Sequence, residues 1–462
     1  MSKNFFNEIS NKKLTTCWEK IPWNQKKIFL IRIQQNIYSY SLQGNIPQIL
    51  YHQKIILISL NTKLLAIRQV LNHSSIKLTS GNKIRLALSL NINSLSNLYN
   101  YWEKLKFNIS YSLFKYIYTQ SISYLIYWSL EAQWEAYLEP GVFGFRSQYI
   151  AQDASCNLFT QIQKQKFKYI IYVKLAIHFQ HSKLLKQKLH NSDLLNNLIH
   201  FYIENSKDNR SIKIALINNN IQLEQLFITI LTYGIQYSLI SNQLLLSLDQ
   251  KNTLNSIYYF SYKEFFCILC HNPISCHRYY QVLSHTLKVL KLKPLYYTYS
   301  MTSKFNFLHF LFDIKENHLN ISPNINSKKK LIRHIRQILY KKDFLGRNRA
   351  MTHITLNAAI LRINPLIRRW FNNHLLCNKI DDFKSMDEII NNTIYRWQIK
   401  KYKKNIVQNW KQECIRYIKR RRRIAHGKTV LDLLFLRYIN KKTFFPRLPF
   451  RSFYEQDKNY WK

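Results

Sequence analysis

The chain has 462 residues, enough for two or three domains around a large core. Its 69 Lys and Arg against 24 Asp and Glu leave a formal net charge of +45, so the expected partner is a polyanion. No apolar run approaches the ~20 residues that span a bilayer, which favours RNA or DNA over a membrane.

Seven cysteines, an odd number in a large chain, argue for reduced thiols and against a disulfide framework. Aromatic residues make up 15%, and many stand beside Lys or Arg; most belong to a core, and the rest offer faces on which unpaired bases stack. Glycine is scarce while Ile, Asn, Lys, Tyr and Phe abound, as an AT-rich and typically organellar coding sequence produces. The start, MSKNFFNEISNKKL, has no apolar h-region and no Arg/Ser-rich amphipathic pattern, so it does not read as a targeting peptide.

From Cys17 to Gly81, apolar residues at helical spacing with basic residues between them predict three helices. The stretch from Trp134 contains E-A-Y-L-E-P (Glu135 to Pro140), G-F-R-S (Gly144 to Ser147) and Asp153-Ala154. KYIIYVKLA, with Lys174 near its end, predicts a strand that turns into a helix at HSKLL. Asn218-Asn219-Asn220 predict a turn. Tyr258 to Cys270 alternates weakly, as a buried hairpin does, and contains Glu264 and Phe265. Cys267, Cys270, Cys276 and His277 have zinc-like spacing, but the odd separation of Cys267 and Cys270 puts them on opposite faces of a strand, so no metal site is expected. Ser327 to Lys342 predicts a helix with Leu331, Ile335 and Ile338 inward and a cationic outer face. Lys419-Arg420-Arg421-Arg422-Arg423 reads as a nuclear targeting run or an RNA-binding helix end, and in an organellar protein as the latter.

These motifs resemble group II intron reverse transcriptase/maturases. Leu64 to Lys83 is similar to their N-terminal segment, Trp134 to Leu185 to the fingers-palm junction, and Tyr258 to Cys270 to the palm hairpin. Asn364-Pro365-Leu366-Ile367-Arg368-Arg369-Trp370 resembles the thumb signature, and Phe383, Asp387, Tyr395-Arg396-Trp397 and Lys400-Lys401-Tyr402 resemble the maturase domain X. The resemblance implies an α+β fold: a basic helical domain over 1–85, a polymerase-like fingers-palm over 86–320, and an all-α thumb and domain X over 321–462.

It also implies a degenerate catalytic site. The family's metal-binding Asp positions fall on Lys174, Glu264 and Phe265, its second Asp of the strand-helix turn on Gln180, its P-Q-G turn on Asn218 to Asn220, and a Lys after Pro on Tyr296. Two metal ions held by carboxylates align the reactants of a polymerase, and an ammonium there repels them. The implied function is maturase-like: binding group II or group III intron RNA and assisting its excision without polymerase or endonuclease activity and without a cofactor, in a plastid. The RNA contacts expected are Arg146, Arg368, Arg369, Lys400, Lys401, Lys419, Arg420, Arg421, Arg422 and Arg423. Other splicing factors and a second copy of the chain are further candidate partners. An active reverse transcriptase and a general tRNA- or ribosomal-RNA-binding protein are the alternatives.

Overall fold

The computed structural model describes residues 18–455 apart from 75, 77, 91–97, 105–108, 147–148, 165–166, 177–181, 190–191, 209–220, 242–257, 301–303, 316–317, 403–409, 411–413, 419–420 and 442–451. Gln180 and the Asn218 to Asn220 turn therefore lie outside the described residues.

The three expected N-terminal helices are α1 (Trp23–Leu42), α2 (Ile46–Ile58) and α3 (Leu60–His73). Local chemistry starts two of them: the Asn45 side chain accepts from the Gln48 amide, and Ser59 accepts from Asn61. All three pack on a 27-residue helix, Tyr111–Tyr137, which is apolar around most of its circumference and therefore sits inside. Buried amides staple the packing. Gln34 Nε2 donates to the Trp128 carbonyl at 3.1 Å, and Gln53 Nε2 donates to Ser129 O at 3.1 Å and Gln133 Oε1 at 2.7 Å. Leu86, Ala87, Leu226, Phe227 and even Tyr454 join this core, so the boundary expected near residue 85 falls inside one packed unit.

Next comes a four-stranded antiparallel sheet in the order β2-β3-β1-β4, from β1 (Tyr169–Ala176), β2 (Tyr258–Tyr262), β3 (Phe265–Cys270) and β4 (Lys293–Ser300). The period of two sorts its side chains. Ile171, Val173, Phe266, Ile268 and Cys270 meet Cys276, Leu283 and Leu287 of the helix Pro273–Val289 on one face. Ile170, Cys267 and Leu269 meet Phe305, Phe307 and the C-terminal core on the other.

A second antiparallel sheet, β5 (Phe305–Phe307), β6 (Phe310–Lys315) and β7 (His318–Pro323), leads into three helices, Ile325–Leu339, Leu356–Asn372 and Ile380–Tyr402. Leu331 and Ile335 point inward as expected, with Trp370 and Trp397 buried between the helices. The C-terminal third is not all-α. The first of these helices stops at Leu339, and the chain makes a hairpin of β8 (Tyr340–Lys342) and β9 (Asn348–Ala350). Arg421–His426 is likewise a strand, β11, between β10 (Ile415–Ile418) and β12 (Thr429–Val430). The described part of the basic run, Arg421 to Arg423, belongs to a strand and not to a helix end because its apolar neighbours Ile424 and Ala425 pair into a small sheet that closes on the core. The protein is thus mixed helix and small antiparallel sheets.

Candidate nucleic-acid interface

Pairing across the sheet brings the three degenerate positions together. Lys174 is opposite Phe265 on one side and Leu295 on the other, and the Leu175 amide donates to Glu264 O at 2.8 Å. The Lys174 ammonium is exposed and lies 5.6 Å from the Phe265 ring centroid, a cation-π approach. Phe265 in turn stacks on Tyr172 at 5.9 Å. Tyr296, beside Val173, packs edge-on against Tyr280; burial and Tyr280 push its hydroxyl up to about 12, so it holds its proton at neutral pH. This end of the sheet presents the Glu264 carboxylate, the Lys174 ammonium and an aromatic layer. Among the described residues no three His, Cys, Asp or Glu side chains converge as a metal site.

The zinc-like spacing does not converge either. Cys267 and Cys270 are buried on opposite faces of β3, and only Cys276 reaches Cys270, whose thiol that contact and burial push up. His277 is exposed and bonded to Gln281 at 3.0 Å.

Arg146 departs from its expected role. Its residue is 6% exposed, and its guanidinium donates to the carbonyls of Val142 (2.7 Å), Leu138 (3.0 Å) and Glu139 (3.1 Å), with the Glu135 carboxylate at 3.4 Å. It clamps the loop after the long central helix. That loop lies on β2, with the Phe143 amide donating to Ser261 O at 2.8 Å and the Ser261 amide to Gly141 O at 2.9 Å. The cation is engaged inside the protein and is withdrawn from the RNA-facing set.

The C-terminal cations divide by what they already hold. Arg368 gives its Nε to Asp432 Oδ2 at 2.6 Å, and Arg437 reaches the same oxygen at 2.8 Å. Partial burial raises the Asp432 carboxyl, yet these two partners hold it below the usual range. Lys401 donates to Ile354 O at 2.7 Å and lies 4.6 Å from the Tyr402 ring centroid, and Arg423 donates to Leu431 O. Arg368, Lys401 and Arg423 thus brace the fold. Arg369, Lys400 and Arg422 are exposed, whereas Lys419 and Arg420 lie outside the described residues.

Around Tyr340 the fold assembles a cluster that the motifs alone did not single out. Lys400 Nζ lies 5.6 Å from its ring centroid, and Arg336 and Arg396 are close enough to act on its hydroxyl, which burial raises and the two guanidinium groups lower. All three cations are exposed and Tyr340 is half-buried. The sequence held a signal: Arg336 with Tyr340, and Arg396 with Lys400, are four residues apart, one helical turn. A ring framed by three cations can stack a base while its neighbours take phosphates.

Residues 18–91 match the N-terminal domain of reverse transcriptase, and residues 329–417 match the group II intron maturase-specific domain. No curated protein matches the chain. With these two domains in this order, the chain is a group II intron maturase-like reverse-transcriptase homologue.

Proposed function

We propose that the protein binds structured group II or group III intron RNA and favours its splicing-competent fold, acting by affinity and not by polymerase or endonuclease chemistry. The chemistry of such excision belongs to the RNA, so the protein needs contacts and no active site. The observation that carries this reading is the coincidence of the maturase-specific match, 329–417, with the segment that holds Arg336, Tyr340, Arg369, Arg396 and Lys400. At the same time the carboxylate-poor end of the sheet, with Lys174 stacked on Phe265, is ill suited to hold two divalent cations. Composition supports an organellar setting, which we propose to be a plastid, with the intron RNA as principal partner and other splicing factors beside it.

The test compares full-length protein on a group II intron with the same protein on tRNA and ribosomal RNA fragments, followed by excision in organelles that lack the protein. Preferential intron binding and accumulation of unspliced precursor are expected. Equal affinity for all three RNAs with unchanged splicing overturns the reading in favour of a general RNA-binding protein.

A further inference from the structure

The β8–β9 hairpin ends in a tip that buries nothing. Phe344 is 94% exposed and Leu345 59%. Leaving a phenyl ring in water forgoes the gain of burying it, and single exposed apolar residues are common, so exposure alone decides nothing here. The surroundings do.

First, the tip is rigidly built. Asp343 Oδ1 accepts from the amides of Leu345 (3.0 Å) and Arg347 (2.8 Å), while Oδ2 takes the Nε groups of Arg347 (3.3 Å) and Arg349 (3.1 Å). The backbone closes the same turn: the Gly346 amide donates to Asp343 O at 3.0 Å and the Asp343 amide to Arg347 O at 3.0 Å, with Gly346 at φ +76°. The loop that carries the two apolar residues is thus held by one carboxylate, so little order remains to be gained when it binds. Secondly, the arms are cationic. Lys341 pairs opposite Arg349, Lys342 opposite Asn348, and Lys341, Lys342, Arg347 and Arg349 are all exposed. Thirdly, the base of the hairpin is Tyr340, the ring already framed by Arg336, Arg396 and Lys400.

We infer that this hairpin is an RNA wedge: Phe344, with Leu345 beside it, stacks on or inserts between unpaired bases of the bound RNA, while Lys341 and Lys342 take the flanking phosphates and Arg347 and Arg349 stay on Asp343. An apolar protein partner would meet four cations at the rim, whereas a polyanion with exposed base faces satisfies both the ring and the charges. Asp343 is a positioning residue, setting the angle at which Phe344 leaves the hairpin. The inference rests on the RNA-binding reading above and adds where an unpaired segment is gripped.

The experiment uses full-length protein and two RNA probes of equal length, one fully paired and one with an internal unpaired loop carrying 2-aminopurine. Phe344→Ala should weaken binding to the looped probe about tenfold, as removal of one base-aromatic stack does, with the salt slope unchanged because no charge is removed. Binding to the paired probe should stay within twofold, and Phe344→Trp should retain affinity and quench on binding. Asp343→Ala should lose affinity with Phe344 still present, and Asp343→Asn, which keeps an acceptor for the two amides, should recover part of it. Since the tip contributes nothing to the core, these variants should keep the wild-type circular dichroism. Equal loss on both probes, or none on either, overturns the wedge. So does a protein-protein role, seen as a dimer of the wild type that Phe344→Ala dissolves without changing RNA affinity. If the wild type prefers the intron yet Phe344→Ala changes nothing, the wedge falls and the maturase reading stands; if it prefers no intron yet Phe344→Ala still loses looped RNA, the converse holds.

Discussion

Lys174 and Phe265 are paired across β1 and β3, and the lysine ammonium stands 5.6 Å from the phenyl ring centroid. The resemblance to reverse transcriptases assigns carboxylates to these two places, and here they hold a cation and a hydrocarbon. Primer extension on an RNA template with Mg²⁺ or Mn²⁺ should therefore yield no processive cDNA. Glu264→Ala should leave RNA binding unchanged, whereas Lys174→Asp combined with Phe265→Asp, beside Glu264, should create measurable divalent-ion affinity. Processive cDNA from the wild type would refute the assignment.

The exposed cations at Tyr340, together with exposed Arg369, should carry affinity, and the braced ones stability. Replacing Arg336, Arg369, Arg396 and Lys400 by Ala should lower intron affinity by orders of magnitude. The slope of log K against log salt should flatten by roughly 0.7 for each single-strand phosphate that is no longer neutralised. Arg368→Ala leaves Asp432 with Arg437 alone, and Lys401→Ala strips the Ile354 carbonyl of its donor. Those two should lower the free energy of unfolding in urea by up to about 1 kcal/mol each, with little change in salt slope. A fourfold variant that folds and binds as tightly as wild type would contradict this division.

Asp387 should make stability depend on pH. Burial pushes its carboxyl up to about 6, even though the amides of Phe435 and Leu434 at 2.9 and 2.8 Å favour the ionised form. The folded value lies above the unfolded 3.8, so the native state holds the proton more tightly. Its contribution is complete below about pH 4 and is lost as the pH rises through about 6, up to about 3 kcal/mol in all. Asp387→Asn should reduce the slope in urea titrations between the two values, leaving the part due to Glu131 and Glu135, which burial raises to about 7 and about 8; an unchanged slope would contradict the assignment to Asp387.

Two glycines should resist any side chain. A Cβ at Gly141 would lie 2.2 Å from Tyr259 O, and one at Gly144 would lie 2.4 Å from Lys263 N, both backbone atoms of the sheet and its turn. Gly141→Ala and Gly144→Ala should each destabilise by about 3 kcal/mol. Gly346→Ala meets open space and only the strain of φ +76°, so roughly 1 kcal/mol is expected in thermal unfolding. Equal costs at all three sites would mean that the loop over β2 can move aside.

Features that depend on neighbours along the chain were legible in the residues alone. Helical spacing placed α1 to α3, alternation placed β3 and the opposite faces of Cys267 and Cys270, and composition set the cationic character. The residue at each motif position was legible too, so the poverty of carboxylates at Lys174 and Phe265 needed no coordinates. Which cations meet solvent was settled by folding. Arg146 looks on paper like Arg369, but three carbonyls from its own loop and Glu135 surround it, while Arg369 remains exposed. Arg368 and Lys401 are engaged by Asp432 and by the Ile354 carbonyl, partners 64 and 47 residues away. The strand at Arg421–His426 likewise depends on pairing with Ile415–Ile418 and Thr429–Val430, which local propensity does not specify. A charge is written in the sequence at its own position, whereas its freedom to bind depends on remote groups that folding brings within hydrogen-bonding distance.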